Sequence, residues 1–319
     1  MADGTKIEWT DATWNPITGC AVVSPGCTNC YAMKLAGTRL RNHPSRAGLT
    51  KDTKAGPVWT GEVRFNEKTL LDPLRWKRPR MIFVVAHGDL FSEAVPDEWI
   101  DRIFAVMALC PQHTFQVLTK RPERMRDYLT TKLRQHRIAA SQVELPDPAP
   151  PTGRWPHLPM PNVWLGVSVE DQKRADERIP DLLATPAAIR WISAEPLLGP
   201  INLRRIRIAP DHHTVIDALD GYAMVDTPGR ERERAMLDWV VAGGESGTCA
   251  RPSQPDWFRS LRGQCATASV PFLFKQWGNH RPCSDASGPY MLPCSKAEAG
   301  RHLDGVLHDG FPIIERSAS

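Results

Sequence analysis

The chain has 319 residues, and its 40 Lys and Arg against 36 Asp and Glu leave a formal net charge of +4. Apolar residues make up 41% and charged residues 24%, which is ordinary globular usage and excludes an intrinsically disordered chain. The N-terminal stretch lacks the apolar segment of a signal peptide, and no run approaches the ~20 apolar residues of a membrane span. We therefore expect a cytoplasmic protein with no membrane partner and with reduced cysteines.

Short β-branched runs alternate with amphipathic stretches along the chain. Helices are predicted at 97–110 and 171–185, where apolar residues recur at spacings of three and four. Strands that alternate with helices indicate a mostly parallel sheet, and eight strands match a (β/α)8 barrel. The fold class is thus α/β, a TIM-type barrel that is complete or partial. The predicted strands are Trp14–Gly19, Glu62–Phe65, Met81–Ala86, Thr114–Leu118, Val163–Val167, Ile189–Ile192, Leu237–Ala242 and Pro271–Phe274.

One barrel domain is predicted over 1–279, because two irregular segments are too poor in apolar residues to form cores of their own. The first, at about 143–162, is rich in proline, and the second, at about 204–235, carries mixed charge. Residues 280–319 are poorly periodic and are expected to wrap the barrel or form a lid.

Polar residues follow six of the predicted strands. A polar residue after a strand is often only the start of a loop, but the carboxyl ends of barrel strands converge on one mouth where active sites lie. The pattern therefore predicts a site built from strand ends. Its candidate residues are His87, Asp89, Lys120, Ser168, Glu170, Ser193, Glu195, Gly243, Gly244, Glu245, Lys275 and Trp277.

Three of the eight cysteines cluster, as Cys20-x6-Cys27-x2-Cys30. Three thiolates on one short loop can bind three irons of a [4Fe–4S] cluster and leave the fourth iron open to a ligand. A structural zinc site needs a fourth ligand, and the nearest candidate is His43. Zinc with a distant fourth ligand and unliganded cysteines remain as alternatives. The others (Cys110, Cys249, Cys265, Cys283 and Cys294) lack ligand spacing, and Cys110 is predicted to be a core residue.

The sequence resembles the phage-associated three-cysteine-motif proteins (the phage Gp thirty-seven/sixty-eight family), which are similar to spore-photoproduct-lyase-type radical S-adenosylmethionine (SAM) enzymes. The resemblance covers most of the chain outside the two insertions. The motifs that carry it are Ile7–Pro16, Gly19-Cys20, Cys27–Ala32, Asp89–Phe91, Val95–Glu98, Leu118–Pro122, Trp164–Glu170, Ser193–Leu197, Gly243–Ser246 and Phe274–Gly278.

The resemblance implies a cluster on Cys20, Cys27 and Cys30 whose open iron binds SAM, and an electron donor such as flavodoxin or ferredoxin. It also implies a three-Cys-motif partner protein and a nucleic-acid substrate. The usual superfamily spacing is Cys-x3-Cys-x2-Cys, whereas the first interval here has six residues.

Roles are assigned to the strand-end residues by their chemistry. A carboxylate can accept from the SAM ammonium or ribose, a lysine can bind its carboxylate, and a serine can donate to the same ligand. Glu170, Glu195, Glu245, Lys275, Ser168, Ser193, Gly243 and Gly244 are therefore predicted to bind the cofactor. Trp277 is expected to stack on adenine. His87, Asp89 and Lys120 are the predicted catalytic residues, of which His87 and Asp89 would handle protons.

The small net charge does not show that two segments of the chain are strongly basic. Residues 39–80 hold eleven Lys and Arg against four acids, and residues 118–137 hold seven against two. Such segments attract phosphates if they lie on one face, and Trp59, Phe65 and Trp76 are candidates to stack on bases. Solvated helix faces and core tryptophans are the alternative interpretation.

The leading hypothesis is an iron–sulfur radical SAM enzyme that modifies or repairs a nucleic-acid or nucleotide substrate. A second is a non-catalytic nucleic-acid-binding or redox-sensing protein with an iron–sulfur or zinc site. A third is a barrel hydrolase or nuclease that binds a divalent metal through Asp89, Glu170, Glu195 and Glu245.

Overall fold

The computed structural model describes residues 4–145, 156–208, 214–224, 230–232 and 235–313. The chain divides into two compact units. Unit 1 comprises Met1–Val167 with Ala184–Ala188, and unit 2 comprises Ser168–Leu183 with Ile189–Ser319. Part of the predicted 143–162 insertion, at 146–155, lies outside the described residues, as do parts of the 204–235 segment. The prediction of one domain over 1–279 stays a prediction.

Unit 1 contains eight strands and six helices, with a single 3-10 turn at Pro25–Cys27, among its described residues. The strands are β1 (Ala12–Trp14), β2 (Ile17–Thr18), β3 (Thr50–Thr53), β4 (Gly56–Trp59), β5 (Arg64–Phe65), β6 (Met81–Val84), β7 (Thr114–Thr119) and β8 (Val163–Ser168). The helices are α1 (Tyr31–Gly37), α2 (Glu67–Leu70), α3 (Asp72–Arg75), α4 (Asp97–Leu109), α5 (Pro122–Thr130) and α6 (Arg134–Val143).

Four of these strands run parallel, in the order β1-β6-β7-β8. All six residues of β8 are buried, as expected for a parallel strand covered on both faces. The helix predicted after Pro96 is confirmed as α4. Its residues Ile100, Ile103, Phe104 and Met107 are fully buried, and their spacing of three and four places them on one face.

Unit 2 contains eleven strands and three helices among its described residues. The strands are β9 (Ile189–Ala194), β10 (Ile206–Arg207), β11 (Val215–Asp217), β12 (Tyr222–Met224), β13 (Arg230–Arg232), β14 (Trp239–Gly243), β15 (Phe272–Gln276), β16 (His280–Asp285), β17 (Gly288–Pro293), β18 (His302–Leu303) and β19 (Val306–Leu307). The helices are α7 (Gln172–Ala184), α8 (Pro255–Thr267) and α9 (Lys296–Ala299).

The parallel strands of unit 2 follow the order β9-β14-β15. The predicted helix at 171–185 is confirmed as α7. The described part of the 204–235 segment forms the antiparallel strands β10 to β13. Residues 280–313 form two hairpins and a short helix, and their end packs on the parallel strands: the indole N–H of Trp239 donates to Gly310 O at 2.7 Å.

The protein is therefore a mixed α/β protein with parallel strands, compatible with a partial barrel. The strand predicted at 62–65 is present only as the two-residue β5, which pairs antiparallel with β2 and lies outside the parallel sheet. The predicted strand at 14–19 is split into β1 and β2, since Pro16 has no N–H to continue a ladder. None of the helices in the described part of the chain has the length and apolar character needed to span a bilayer.

Candidate functional site

The three clustered cysteines lie where unit 1 passes from β2 to α1. Cys27 closes the 3-10 turn, and its N–H donates to Ser24 O at 2.9 Å. Cys30 precedes the first residue of α1, and its backbone carbonyl oxygen accepts a hydrogen bond from Lys34 N at 3.0 Å. Cys20 and Cys30 also pack against an apolar cluster that includes Met33 and Trp59. All three thiols are free, and local turns hold them on one loop as predicted.

The Cys20 thiol is strongly influenced by its surroundings. Burial raises its pKa to about 12, the negative charge of Asp89 adds to the rise, and Arg121 opposes it. Cys27 and Cys30 also raise this pKa, so the three sulfur groups are close enough to interact electrostatically. Ligation of a metal by Cys20 as a thiolate would therefore release the proton of this thiol.

The loop offers three thiol donors, one fewer than the four ligands of a structural zinc site. Within the described ranges, no group of three His, Cys, Asp or Glu side chains is arranged to hold one metal ion. Each thiolate of a four-iron cluster binds a different iron, so its ligands stand farther apart than those of a zinc site. Three cysteines on one loop supply a thiolate for three of the four irons of such a cluster.

Asp89 and Arg121 form a buried ion pair beside Cys20, with 3.0 Å between Asp89 Oδ2 and Arg121 Nη1. Asp89 Oδ2 also accepts from Lys120 N at 3.0 Å, and Asp89 Oδ1 accepts from Thr119 Oγ1 at 2.7 Å and Phe91 N at 3.0 Å. Both carboxylate oxygens are thus occupied. Asp89 joins the ends of β6 and β7, and its predicted proton-transfer role stays a prediction that requires one of these bonds to break.

His87 lies at the end of β6 with its imidazole facing Arg46, whose Nη2 is 2.5 Å from His87 Nδ1. Burial lowers the pKa of His87 to about 4, and the charge of Arg46 adds to the effect. The ring is therefore neutral near pH 7, with Nδ1 accepting and the proton on Nε2. In this tautomer His87 can donate a hydrogen bond, but it has no free lone pair for a zinc ion.

In unit 2, Glu195 and Lys275 meet at the ends of β9 and β15. Lys275 Nζ lies 2.8 Å from both carboxylate oxygens of Glu195. Gln276 Nε2 donates to Glu195 Oε1 at 3.1 Å and to Ser246 Oγ at 3.0 Å. The side chain of Gln276 is buried, and its Oε1 has no hydrogen-bond partner among the described residues. This group retains an acceptor and a lysine proton that a ligand could use.

Two further predicted carboxylates are each paired with an arginine. Glu245 accepts from Arg251 N and Nε at 2.8 and 2.9 Å, and Glu170 accepts from Arg178 Nη1 at 2.9 Å. All four carboxylates of the metal-hydrolase hypothesis thus already face a cation. A divalent ion would have to compete with these cations for the oxygens.

The two glycines at the end of β14 allow neighbouring groups to pack closely against the backbone. A Cβ on Gly244 would lie 2.0 Å from the carbonyl oxygen of Trp277, whereas one on Gly243 would lie 3.3 Å from Glu195 Cδ. Trp277 itself is only 4% exposed, and its ring contacts Phe258 and Phe274. The structure thus places Trp277 in the core of unit 2, and adenine stacking there stays a prediction.

The remaining predicted residues occupy buried or partly buried strand ends. Ser168 and Ser193 are each 3% exposed, and Lys120 is half-buried at the end of β7. Cys110 and Cys265 are fully buried, and burial raises the pKa of each thiol to about 12, which confirms the core prediction for Cys110. Cys249 is exposed.

The positive charge of 118–137 is largely used inside unit 1. Five arginines of this segment form ion pairs, most of them with acidic residues of α4: Arg121, Arg124, Arg126, Arg134 and Arg137. In 39–80, by contrast, Lys77 and Arg78 are exposed. Trp59 is buried in the core beside the cysteine loop, as the alternative interpretation expects, and base stacking by it stays a prediction. Trp76 is half-buried under Arg80.

Sequence reasoning missed Arg121, Arg46 and Gln276. Arg121 lies in the Leu118–Pro122 motif at the end of β7 and contributes to the basic segment, but nothing local in the sequence shows that it contacts Cys20. Gln276 follows Lys275 directly at the end of β15, and both side chains donate to Glu195, so its place at a strand end was the available signal.

The fold and site together define a class: a mixed α/β protein with parallel strands, a cysteine-rich loop and paired charges at the strand ends. The family described as "Protein of unknown function (DUF5131)" matches residues 4–312. The chain belongs to this family. Neither the curated proteins nor the solved structures contain a significant match.

Proposed function

We propose that the protein is a radical SAM-type enzyme whose [4Fe–4S] cluster binds to Cys20, Cys27 and Cys30. The observation that carries the proposal is the set of three free cysteines on one short loop that follows the first strands of unit 1. Three thiolates leave one iron of such a cluster without a protein ligand. When bound, the cluster supplies the single electron that cleaves the sulfonium of SAM held at its open iron.

The chain's own residues support this chemistry around the loop. The apolar cluster behind Cys20 and Cys30 excludes water from one side of the loop. Arg121 donates to Cys20 Sγ at 3.6 Å, and hydrogen bonds to ligand sulfurs favour electron acceptance. His87, neutral and protonated on Nε2, offers a hydrogen-bond donor rather than a base.

We further propose a nucleic-acid or nucleotide substrate, approached by the exposed part of 39–80. Exposed cations such as Lys77 and Arg78 suit phosphates, and Trp76 lies beside them in the chain. A flavodoxin or ferredoxin as electron donor and a three-Cys-motif partner protein belong to the same proposal.

Anaerobic purification tests the cluster. We expect about four iron and four sulfide per chain in the wild-type protein. Cys27→Ser is expected to lose both, while Cys249→Ser, which changes an exposed cysteine of unit 2, keeps them. Dithionite and SAM should then yield 5′-deoxyadenosine. Stoichiometric zinc without sulfide overturns the cluster, and a cluster that forms no 5′-deoxyadenosine overturns the radical reaction.

Fluorescence anisotropy with labelled single-stranded DNA tests the substrate class. The double variant Lys77→Ala/Arg78→Ala should bind more weakly and reduce the slope of log K against log salt by about one per lost phosphate contact. Arg126→Ala is the matched control, because Arg126 is already paired with Asp127. An equal loss of DNA affinity in Lys77→Ala/Arg78→Ala and in Arg126→Ala would contradict an interface on 39–80.

A further inference from the structure

Arg121 is a buried arginine with a contact for each nitrogen of its guanidinium. Its Nε donates to Glu93 at 2.9 Å, its Nη1 donates to Asp89 at 3.0 Å and to Cys20 Sγ at 3.6 Å, and its Nη2 donates to Ala21 O at 3.2 Å. The side chain is only 5% exposed. A buried charge of this kind is tolerated only when it is fully paired, so its position is strongly specified.

These contacts connect two distant parts of unit 1. Arg121 and Cys20 are 101 residues apart in the chain. Asp89, on the loop after β6, binds the guanidinium and also accepts from the backbone N–H of Lys120 and the hydroxyl of Thr119 at the end of β7. The start of the cysteine loop is thereby attached to a frame that both parallel strands hold in place.

We propose that Arg121 is a positioning residue for the cysteine loop, which holds Cys20 in place and sets the reduction potential of the cluster bound there. The charge-setting part rests on the proposed function, whereas the positioning part does not. A positive charge beside a ligand sulfur stabilises the more negative, reduced state of the cluster.

The geometry explains why the residue is an arginine. The planar guanidinium reaches the sulfur, a carboxylate and a backbone carbonyl at the same time, whereas an ammonium presents a single point charge. Arg121→Lys is therefore expected to keep most of the electrostatic effect and lose part of the positioning. Arg121→Gln is expected to lose both.

Redox titration of the anaerobically purified holoprotein, followed by EPR, tests the charge effect. We expect Arg121→Gln to lower the reduced-to-oxidised ratio about tenfold at a given potential, which is a fall of about 59 mV for one electron. Glu93→Gln removes a negative charge from an exposed side chain that contacts Arg121, so it should shift the potential upwards by less. Arg121→Lys should remain close to wild type.

Shifts of opposite sign in the reduction potentials of Arg121→Gln and Glu93→Gln distinguish an electrostatic role of Arg121 from a structural one. A loop that is merely damaged would change both glutamine variants in the same direction, and this result would overturn the charge effect. Arg124→Gln is the matched control, because Arg124 binds Ser92 O, Val95 O and Asp97 and makes no hydrogen bond or ion pair with the cysteine loop as the structure describes it. A shift there equal to that of Arg121→Gln would also overturn it.

The positioning effect is measured on the metal-free protein, so it is independent of the cluster. Limited alkylation with N-ethylmaleimide, read by peptide mass spectrometry, compares Cys20 with the exposed Cys249 as internal reference. Loss of the Arg121 charge by itself raises the Cys20 pKa and slows alkylation, so an accelerated reaction reports exposure of the loop. We expect Arg121→Gln to accelerate the modification of Cys20 and Arg124→Gln to leave it unchanged. An unchanged Cys20 rate in Arg121→Gln overturns the positioning role, whereas wild-type protein without iron and sulfide overturns only the cluster.

Discussion

The charged groups at the strand ends of the two units are built differently. In unit 1, Asp89 accepts four hydrogen bonds and Arg121 is buried among acceptors. In unit 2, the side chains of Glu195 and Lys275 remain 19% and 14% exposed. There, Gln276 Oε1 has no partner among the described residues. The first group is a closed frame around a cysteine loop, whereas the second retains capacity for a ligand.

Removing one partner from each ion pair should show the difference most strongly. Asp89→Ala leaves Arg121 buried without its main counter-charge, and we expect the free energy of unfolding to fall by about 3 to 5 kcal/mol. Glu195→Ala leaves a lysine that can reach water, so a loss of about 1 kcal/mol is expected. Urea denaturation followed by circular dichroism measures both. Equal losses would show that the two groups are equally closed.

Gly244 tests how tightly the loops of unit 2 are packed. A Cβ at this position would overlap the Trp277 carbonyl, and we expect Gly244→Ala to lower the free energy of unfolding by about 3 kcal/mol. Gly263, in the middle of α8, has open space around its Cα, so Gly263→Ala should stabilise by about 0.5 to 1 kcal/mol. Thermal unfolding of the two variants provides the measurement. If Gly244→Ala leaves the stability unchanged, packing does not require the glycine, and ligand binding becomes the reason for it.

The pH dependence of stability tests whether His87 is as buried in unit 1 as the structure indicates. Its folded pKa of about 4 lies below the unfolded value of 6.5, so the unfolded chain binds an extra proton between these values. Stability should therefore fall as the pH decreases from about 6.5 to about 4, by at most about 3 kcal/mol. Comparing His87→Gln with wild type across this range isolates the contribution. An identical slope in both proteins would show that His87 does not titrate in this way.

Much of the fold could be predicted because its signals are local. The apolar periodicity of α4 and α7 and the β-branched runs of β6 to β9 lie within short windows, and each was confirmed to within a few residues. The first predicted strand is divided for an equally local reason, since Pro16 interrupts the run. The antiparallel pairing of β2 with β5 joins residues more than forty positions apart, so no short window shows it.

The candidate site could be predicted only in part. The cysteine loop was visible in the sequence because its three cysteines lie within eleven residues. The pairing of charges was not visible, because Arg134 pairs with Asp101 and Arg121 with Asp89, and each pair is more than thirty residues apart in the sequence. Counting charges by segment therefore overstated the basic surface of 118–137.

The sequence by itself determined the helices, most of the parallel strands and a loop able to present three thiolates together, since these depend on neighbours in the chain. Only the tertiary structure decided that Trp59 and Trp277 are buried, that His87 is neutral and that Arg121 reaches Cys20. Burial and the energy of a charge depend on which distant groups folding brings within a few ångströms, and no short stretch of sequence contains that information.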